Sequence, residues 1–200
     1  MAKVITLAHQ KGGVGKSTLT LNLAFAFKEH LNVAVVDIDP QGTLAQLAPL
    51  IKNLDVVVVS SLSELQLLPY DLVFVDTPPY LSSDLPELFK LSELILIPTK
   101  AGLADLLAIR ATIKMLEAIA KTKQAHVLFN MVKSRTSLTR EIEAMLKEYS
   151  IPVLKTRVKD RVSYTRSLIV EKGIMGTDDD KAKAEFQNLV AEILKAVNKQ

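Results

Sequence analysis

The 200-residue chain has no cysteine, no tryptophan, and only 5% aromatic residues. Without cysteine it forms no disulfide, no thiolate zinc site and no cysteine-ligated iron–sulfur cluster. With so few aromatics it has little to stack on the bases of a single-stranded nucleic acid. No apolar run approaches the roughly 18 residues of a membrane-spanning helix. The opening MAKVITLAHQKGG has too short an apolar stretch, and turns polar too soon, to be a secretory signal. The expectation is a soluble cytoplasmic protein. His9, His30 and His126 lie far apart without paired spacing, so no histidine metal site is expected and all three read as structural. No Ser-His-Asp arrangement suggests itself.

What is present is a core and an uneven charge. Hydrophobic residues make up 48% and charged residues 24%, enough for one globular domain over 1–200 that buries roughly 70% of its unfolded surface. The net charge of +3 conceals a basic segment: residues 121–172 carry 12 Lys/Arg against 5 Asp/Glu. Such a concentration attracts an anionic polymer, although a solvated surface has the same composition.

Short apolar runs at 3–8, 33–39, 55–60, 71–78, 93–99 and 126–132, with a weaker one at 151–156, read as strands. Most are continuously apolar, as in parallel strands covered on both faces. Helical spacing marks 16–29, 102–121, 138–149 and 186–197. This alternation predicts a three-layer α/β fold, a mostly parallel twisted sheet with helices on both faces.

Between the first strand and first helix lies QKGGVGKST. Gly12, Gly13 and Gly15 let the backbone approach phosphate oxygens closely, with the amides of Val14 and its neighbours as donors. The helix N-terminus adds partial positive charge, Lys16 a point charge, and Ser17, followed by Thr18, a hydroxyl for Mg²⁺. The hydrophobic strand LVFVD delivers Asp76 at its end; beside a phosphate loop it reads as the carboxylate that holds Mg²⁺ through water. VVDIDPQG places Asp37 and Asp39 two apart, on one face if both belong to one strand. The chemistry on offer is phosphoryl transfer from a nucleotide to water.

Position 10 is glutamine where the usual phosphate-loop pattern has glycine. The compressed spacing KGGVGKS resembles the deviant phosphate-loop motif of the ParA/MinD ATPases, and DIDPQG and DTPP resemble that family's next two motifs. The resemblance covers nearly the whole chain and implies the family's P-loop fold, ATP and Mg²⁺ as cofactors, and hydrolysis to ADP and phosphate. It implies that Lys11 reaches across an ATP-bound sandwich homodimer to the partner's phosphates. It further implies that Asp39 positions the attacking water, that Asp37 belongs to the magnesium shell, and that Asn130 reads adenine. From chemistry alone a turn-forming role for Asn130 is the commoner one. Asp105 falls at a recurrent family position, with a structural role left open. Arg135 and Arg161 correspond to positions where ParA relatives use arginine on duplex DNA, and Arg157 joins them as a DNA-binding candidate in a segment that also holds Lys133, Arg140, Lys155, Lys159 and Arg166. The absence of aromatics fits sequence-tolerant backbone contact.

The expected function is thus a DNA-partitioning ATPase of the small type, without an N-terminal helix-turn-helix. It would be nucleoid-associated and released when a ParB-like or centromere-binding adaptor stimulates hydrolysis. Two alternatives remain within the family: a membrane-associated MinD-like positioner, disfavoured because the last helix leaves no spare anchor, and positioning of a protein cargo.

Overall fold

The computed structural model describes residues 1–39, 41–133, 137–149 and 151–198. Seven parallel strands form one sheet: β1 (Lys3–Leu7), β2 (Val33–Asp37), β3 (Asp55–Val57), β4 (Leu72–Asp76), β5 (Leu94–Thr99), β6 (Ala125–Val132) and β7 (Val153–Lys159). Their spatial order is β3-β2-β4-β1-β5-β6-β7. The helices are α1 (Lys16–Lys28), α2 (Thr43–Leu47), α3 (Leu85–Leu91), α4 (Leu103–Ala118), α5 (Ser137–Leu146), α6 (Val162–Arg166) and α7 (Asp180–Val197).

The strands are apolar without alternation because both faces are covered. On one face Ile5, Leu7, Val35 and Phe74 pack with α1 and α7 residues such as Leu19, Leu23, Phe186 and Leu189. On the other, Val4, Val36, Val73 and Val75 pack with Phe89, Leu106, Ile109 and Ile113 of α3 and α4. Successive side chains point to opposite faces, so a continuous apolar run fills both layers.

β7 is an edge strand and extends beyond the expected 151–156 as far as Lys159. Its burial alternates and its register against β6 is irregular, with Met131 in the left-handed region at φ 54°. Charged residues on an edge strand mask the apolar signal. Its outer amides are answered by α7: Lys155 and Thr156 N–H donate to Glu192 at 2.6 and 2.9 Å, and Lys159 N–H donates to Glu185 at 2.9 Å.

The chain leaves β1 for β2 on one side and later fills β5, β6 and β7 on the other, so the turn after β1 sits where the sheet reverses direction, the place such sheets bind ligands. The helix that follows, α1, is buried nearly all round. Asn22, in its middle, donates to Thr18 O (2.7 Å) and Ser167 Oγ (2.8 Å) and accepts from Ile174 N–H (2.6 Å). A buried amide with these partners ties the loop-bearing helix to the C-terminal third of the chain.

Candidate nucleotide site

The phosphate loop spans the turn from β1 into α1. Gly13 (φ 69°) and Gly15 (φ 89°) adopt left-handed backbone that side chains resist. Gly15 is the N-cap of α1 and offers no side chain to its first-turn amides. Those donors and the helix dipole are thus left for an anion. Lys16, 7% exposed, stands at this N-terminus. Burial holds its ammonium below the ordinary lysine range, with Asp76 and Asp39 opposing.

Asp76 sits at the end of β4, in register with Leu7 on β1 and Asp37 on β2. Burial pushes its carboxyl up to about 7; the Ser17 hydroxyl donating to it opposes this, as does Lys16, while Asp37 and Asp39 add to it. Its Oδ1 is buried without a hydrogen-bond partner. An orphaned carboxylate oxygen beside a Ser17 hydroxyl, with Asp37 adjacent, fits a Mg²⁺ ion held mainly by phosphates and water. No cluster of three or more His, Asp or Glu in metal-binding arrangement occurs among the described residues, and such an ion needs none. Thr77 Oγ1 donates to Leu7 O at 2.8 Å and fixes the strand end, and a Cβ at Gly12 would meet Pro79 at 3.7 Å, so the DTPP turn lies against the loop.

Several sequence expectations change here. Asp37 and Asp39 do not share a strand face, because β2 ends at Asp37 and Asp39 lies in the following turn. Asp37 is already engaged: its Oδ2 accepts the Leu44 and Ala45 amides (2.8 and 3.1 Å) at the start of α2, and its Oδ1 accepts the Asp39 amide at 3.0 Å. Asp39 Oδ1 accepts from Gln41 N–H at 3.0 Å. The backbone thus bends around Asp37 and presents Asp39.

Asn130 does not end its strand at a turn; it lies inside β6, 4% exposed, and donates to Val14 O at 2.8 Å. A Cβ at Gly15 would strike the same amide. Asn130 therefore braces the phosphate loop directly. It also borders a small cleft of about 40 Å³ with Thr18, Asp160, Arg161 and Tyr164.

Lys11, expected to have little to do within one subunit, has a partner there: its Nζ lies 2.7 Å from Asp105 Oδ1 on α4. His9, read from the sequence only as structural, accepts the Lys11 amide on Nδ1 at 2.9 Å. Burial, then Lys16, pushes His9 down to about 4, so it is neutral and able to accept. Nothing in the residue pattern announced either contact, since both join segments distant in sequence or depend on a tautomer.

Of the arginines expected at DNA, Arg135 lies outside the described residues. Arg157 pairs with Glu143 at 2.8 Å, donates to Leu154 O, and covers the Phe129 ring at 4.9 Å. Arg161 lies 3.8 Å from Asp179 and 4.0 Å from Glu185. Neither is a free cation on an open surface: Glu143 of α5 pairs with Arg157, while Arg161, its Nε buried without a hydrogen-bond partner, lies within ion-pair distance of Asp179 and Glu185. Exposed cations of this region among the described residues include Lys133, Arg140, Lys147, Lys155, Lys159 and Arg166.

Comparison with known proteins gives the family and agrees with the fold. A family model for the CobQ/CobB/MinD/ParA nucleotide-binding domain matches residues 5–173. The "maintenance of carboxysome distribution protein A" of Halothiobacillus neapolitanus is 30% identical over 168 residues, 76% of each chain. The chromosome-partitioning ATPase Soj of Thermus thermophilus is 29% identical over 189 residues, 72% of this chain and 76% of that one. A plasmid partition protein of Borrelia burgdorferi, solved with AMPPNP, shares the fold with a TM-score of 0.74 at 18% identity, covering 98% of this chain and 99% of that one. No helix among the described residues is long and apolar enough to cross a membrane. Because the family match runs through the phosphate loop, the carboxylate strands and Asn130, the chain belongs to the CobQ/CobB/MinD/ParA nucleotide-binding domain family, with the ParA/MinD fold.

Proposed function

We propose that the chain is an ATP-hydrolysing positioning ATPase that pairs when it binds ATP, holds duplex DNA in that state, and lets go after hydrolysis. The observation that carries this reading is the phosphate cradle: an uncapped α1 N-terminus, a buried Lys16, and the orphaned Asp76 Oδ1 facing Ser17. The loop amides and Lys16 bind and orient the β- and γ-phosphates. Ser17 and, through water, Asp76 and Asp37 would hold Mg²⁺, which would neutralise charge developing on the phosphoryl oxygens. Asp39, presented beyond β2, orients the water that attacks the γ-phosphate. Lys11 supplies a second positive charge to the phosphates of a partner subunit. Asn130 keeps the loop in shape and would meet the base.

DNA contact in this reading falls to exposed cations such as Lys133, Arg140, Lys155, Lys159 and Arg166, because Arg157 and Arg161 already have carboxylate partners. Contact of this kind recognises phosphates and not bases. A ParB-like or other adaptor would stimulate turnover. Similarity to both a partitioning ATPase and a carboxysome-distributing protein supports two cargoes, DNA or a protein assembly, moved by the same cycle. The identity to the latter favours a protein cargo as a second reading.

The test is retention on duplex DNA with ATP, with ADP and without nucleotide, for wild type and Lys11→Ala. Retention should need ATP and Lys11. If a dimer neutralises roughly 4–6 phosphates, the log–log salt slope should be about −4 to −5. Equal retention without nucleotide refutes the cycle. Loss of the gene then separates the cargoes: an unstable replicon marks DNA, a scattered protein assembly marks the second reading.

A further inference from the structure

Asp105 is a buried carboxylate outside the phosphate cradle. Its side chain is 8% exposed, while that of Lys11, its ion-pair partner at 2.7 Å, is 40% exposed. The first turn of α4 is shaped around it. Asp105 N–H donates to Gly102 O at 3.1 Å, and a Cβ at Gly102 would lie 2.7 Å from Asp105 Oδ2, so only glycine leaves the carboxylate where it is. The neighbouring loop residues are held to the same place. The Gln10 side-chain amide donates to Ala108 O on α4, and His9 Nδ1 accepts the Lys11 amide. Residues 9–11 are therefore docked on α4, and the Lys11 ammonium is directed at Asp105, not into its own phosphate loop.

We propose that Asp105 is a positioning residue for Lys11. It stores the ammonium within its own subunit until a nucleotide-bound second copy of the chain offers a phosphate, and each pairing event breaks two such bridges, one per subunit. This rests on the proposed ATP-dependent pairing and adds what opposes it. When Lys11 leaves, Asp105 stays behind as a buried carboxylate without its cation, which disfavours release. Nucleotide binding alone is then insufficient; the phosphate across the interface must outbid Asp105, so an isolated subunit with ATP keeps Lys11 at home. The expected size follows from the solvent access of Lys11. A partly exposed pair changes an equilibrium by about fivefold, and two pairs per dimer give about 25-fold.

The experiment measures self-association of the full chain by sedimentation with AMPPNP and Mg²⁺, which removes turnover from the comparison. Asp105→Asn should pair at about 25-fold lower concentration than wild type, Asp105→Glu should stay close to wild type, and Asp105→Asn with Lys11→Ala should lose the gain. A merely structural role for Asp105 predicts the opposite sign, weaker pairing with lost stability. A second measurement needs no dimer: in nucleotide-free protein, reductive methylation of Lys11, read by mass spectrometry, should be several-fold faster in Asp105→Asn and in Gly102→Ala than in wild type. Wild type that stays monomeric with AMPPNP refutes the pairing, and release of Lys11 falls with it. Wild-type pairing that Asp105→Asn leaves unchanged or weakens overturns the inference alone, as does Lys11 reactivity that is the same in all three proteins.

Discussion

Replacing Asp76 by Asn should stabilise the nucleotide-free protein, and more so at high pH. The Asp76 carboxyl has an ordinary value of 3.8 and is pushed up to about 7 in the fold, chiefly by burial. Below pH 3.8 the group is protonated both folded and unfolded and contributes nothing to the pH dependence. Between 3.8 and 7 the folded protein keeps a proton that the unfolded chain has lost, so stability declines as pH rises; above 7 the decline is complete. The shift of about 3 units amounts to about 4 kcal/mol, which the fold gives up at pH 8 to keep an ionised carboxylate in place. Roughly 1.6 kcal/mol of this is already lost at pH 5. Asparagine removes the ionisation, and its own unsatisfied amide costs about 1–3 kcal/mol at every pH. The net gain at pH 8 is therefore about 1–3 kcal/mol, and it should exceed the effect at pH 5 by about 2–3 kcal/mol. Urea denaturation of wild type and Asp76→Asn in EDTA at both pH values measures this. A pH-independent effect, or a larger gain at pH 5, refutes the assignment of a buried carboxylate kept at a cost. Wild type should also bind nucleotide with Mg²⁺ more weakly below pH 7, where a proton occupies the site.

Gly15→Ala should lose about 2–4 kcal/mol of stability and at least tenfold in nucleotide affinity, because it strains φ 89° and drives a methyl group into the Asn130 amide that holds Val14; thermal denaturation and titration with a fluorescent ATP analogue report the two losses, and near-wild-type values in both refute the bracing. Arg157→Ala should cost about 1–2 kcal/mol from the Glu143 pair and the Phe129 ring while leaving DNA retention unchanged. Reduced retention at full stability would return Arg157 to the DNA surface.

The elements carrying the candidate site were legible in the sequence wherever the signal was local. KGGVGKS could be read because a tight turn before a helix N-terminus needs glycine, lysine and serine at fixed neighbouring positions. Asp76 was legible because an apolar strand that ends on a carboxylate is a one-dimensional pattern. The full length of edge strand β7 is hidden in the sequence because Arg157 and Lys159 break the apolar run, although an edge strand tolerates charge. The two-residue spacing of Asp37 and Asp39 does not reveal that strand pairing ends between them. Asp37 turned out to bind the amides of α2, a helix of only five residues with little periodicity to detect.

The sequence by itself determined the layered α/β fold, the phosphate loop and the identity of its chemical groups, since these follow from hydrophobic period and from residues adjacent in the chain. Which charges are already paired follows from the folded arrangement alone. Arg157 on Glu143, Arg161 near Asp179 and Glu185, and Lys11 on Asp105 all join residues from different elements, and burial sets what each pair is worth. A charge in a sequence is an offer of an interaction; whether it remains open to DNA or to a second subunit depends on which opposite charge the fold brings within about 4 Å.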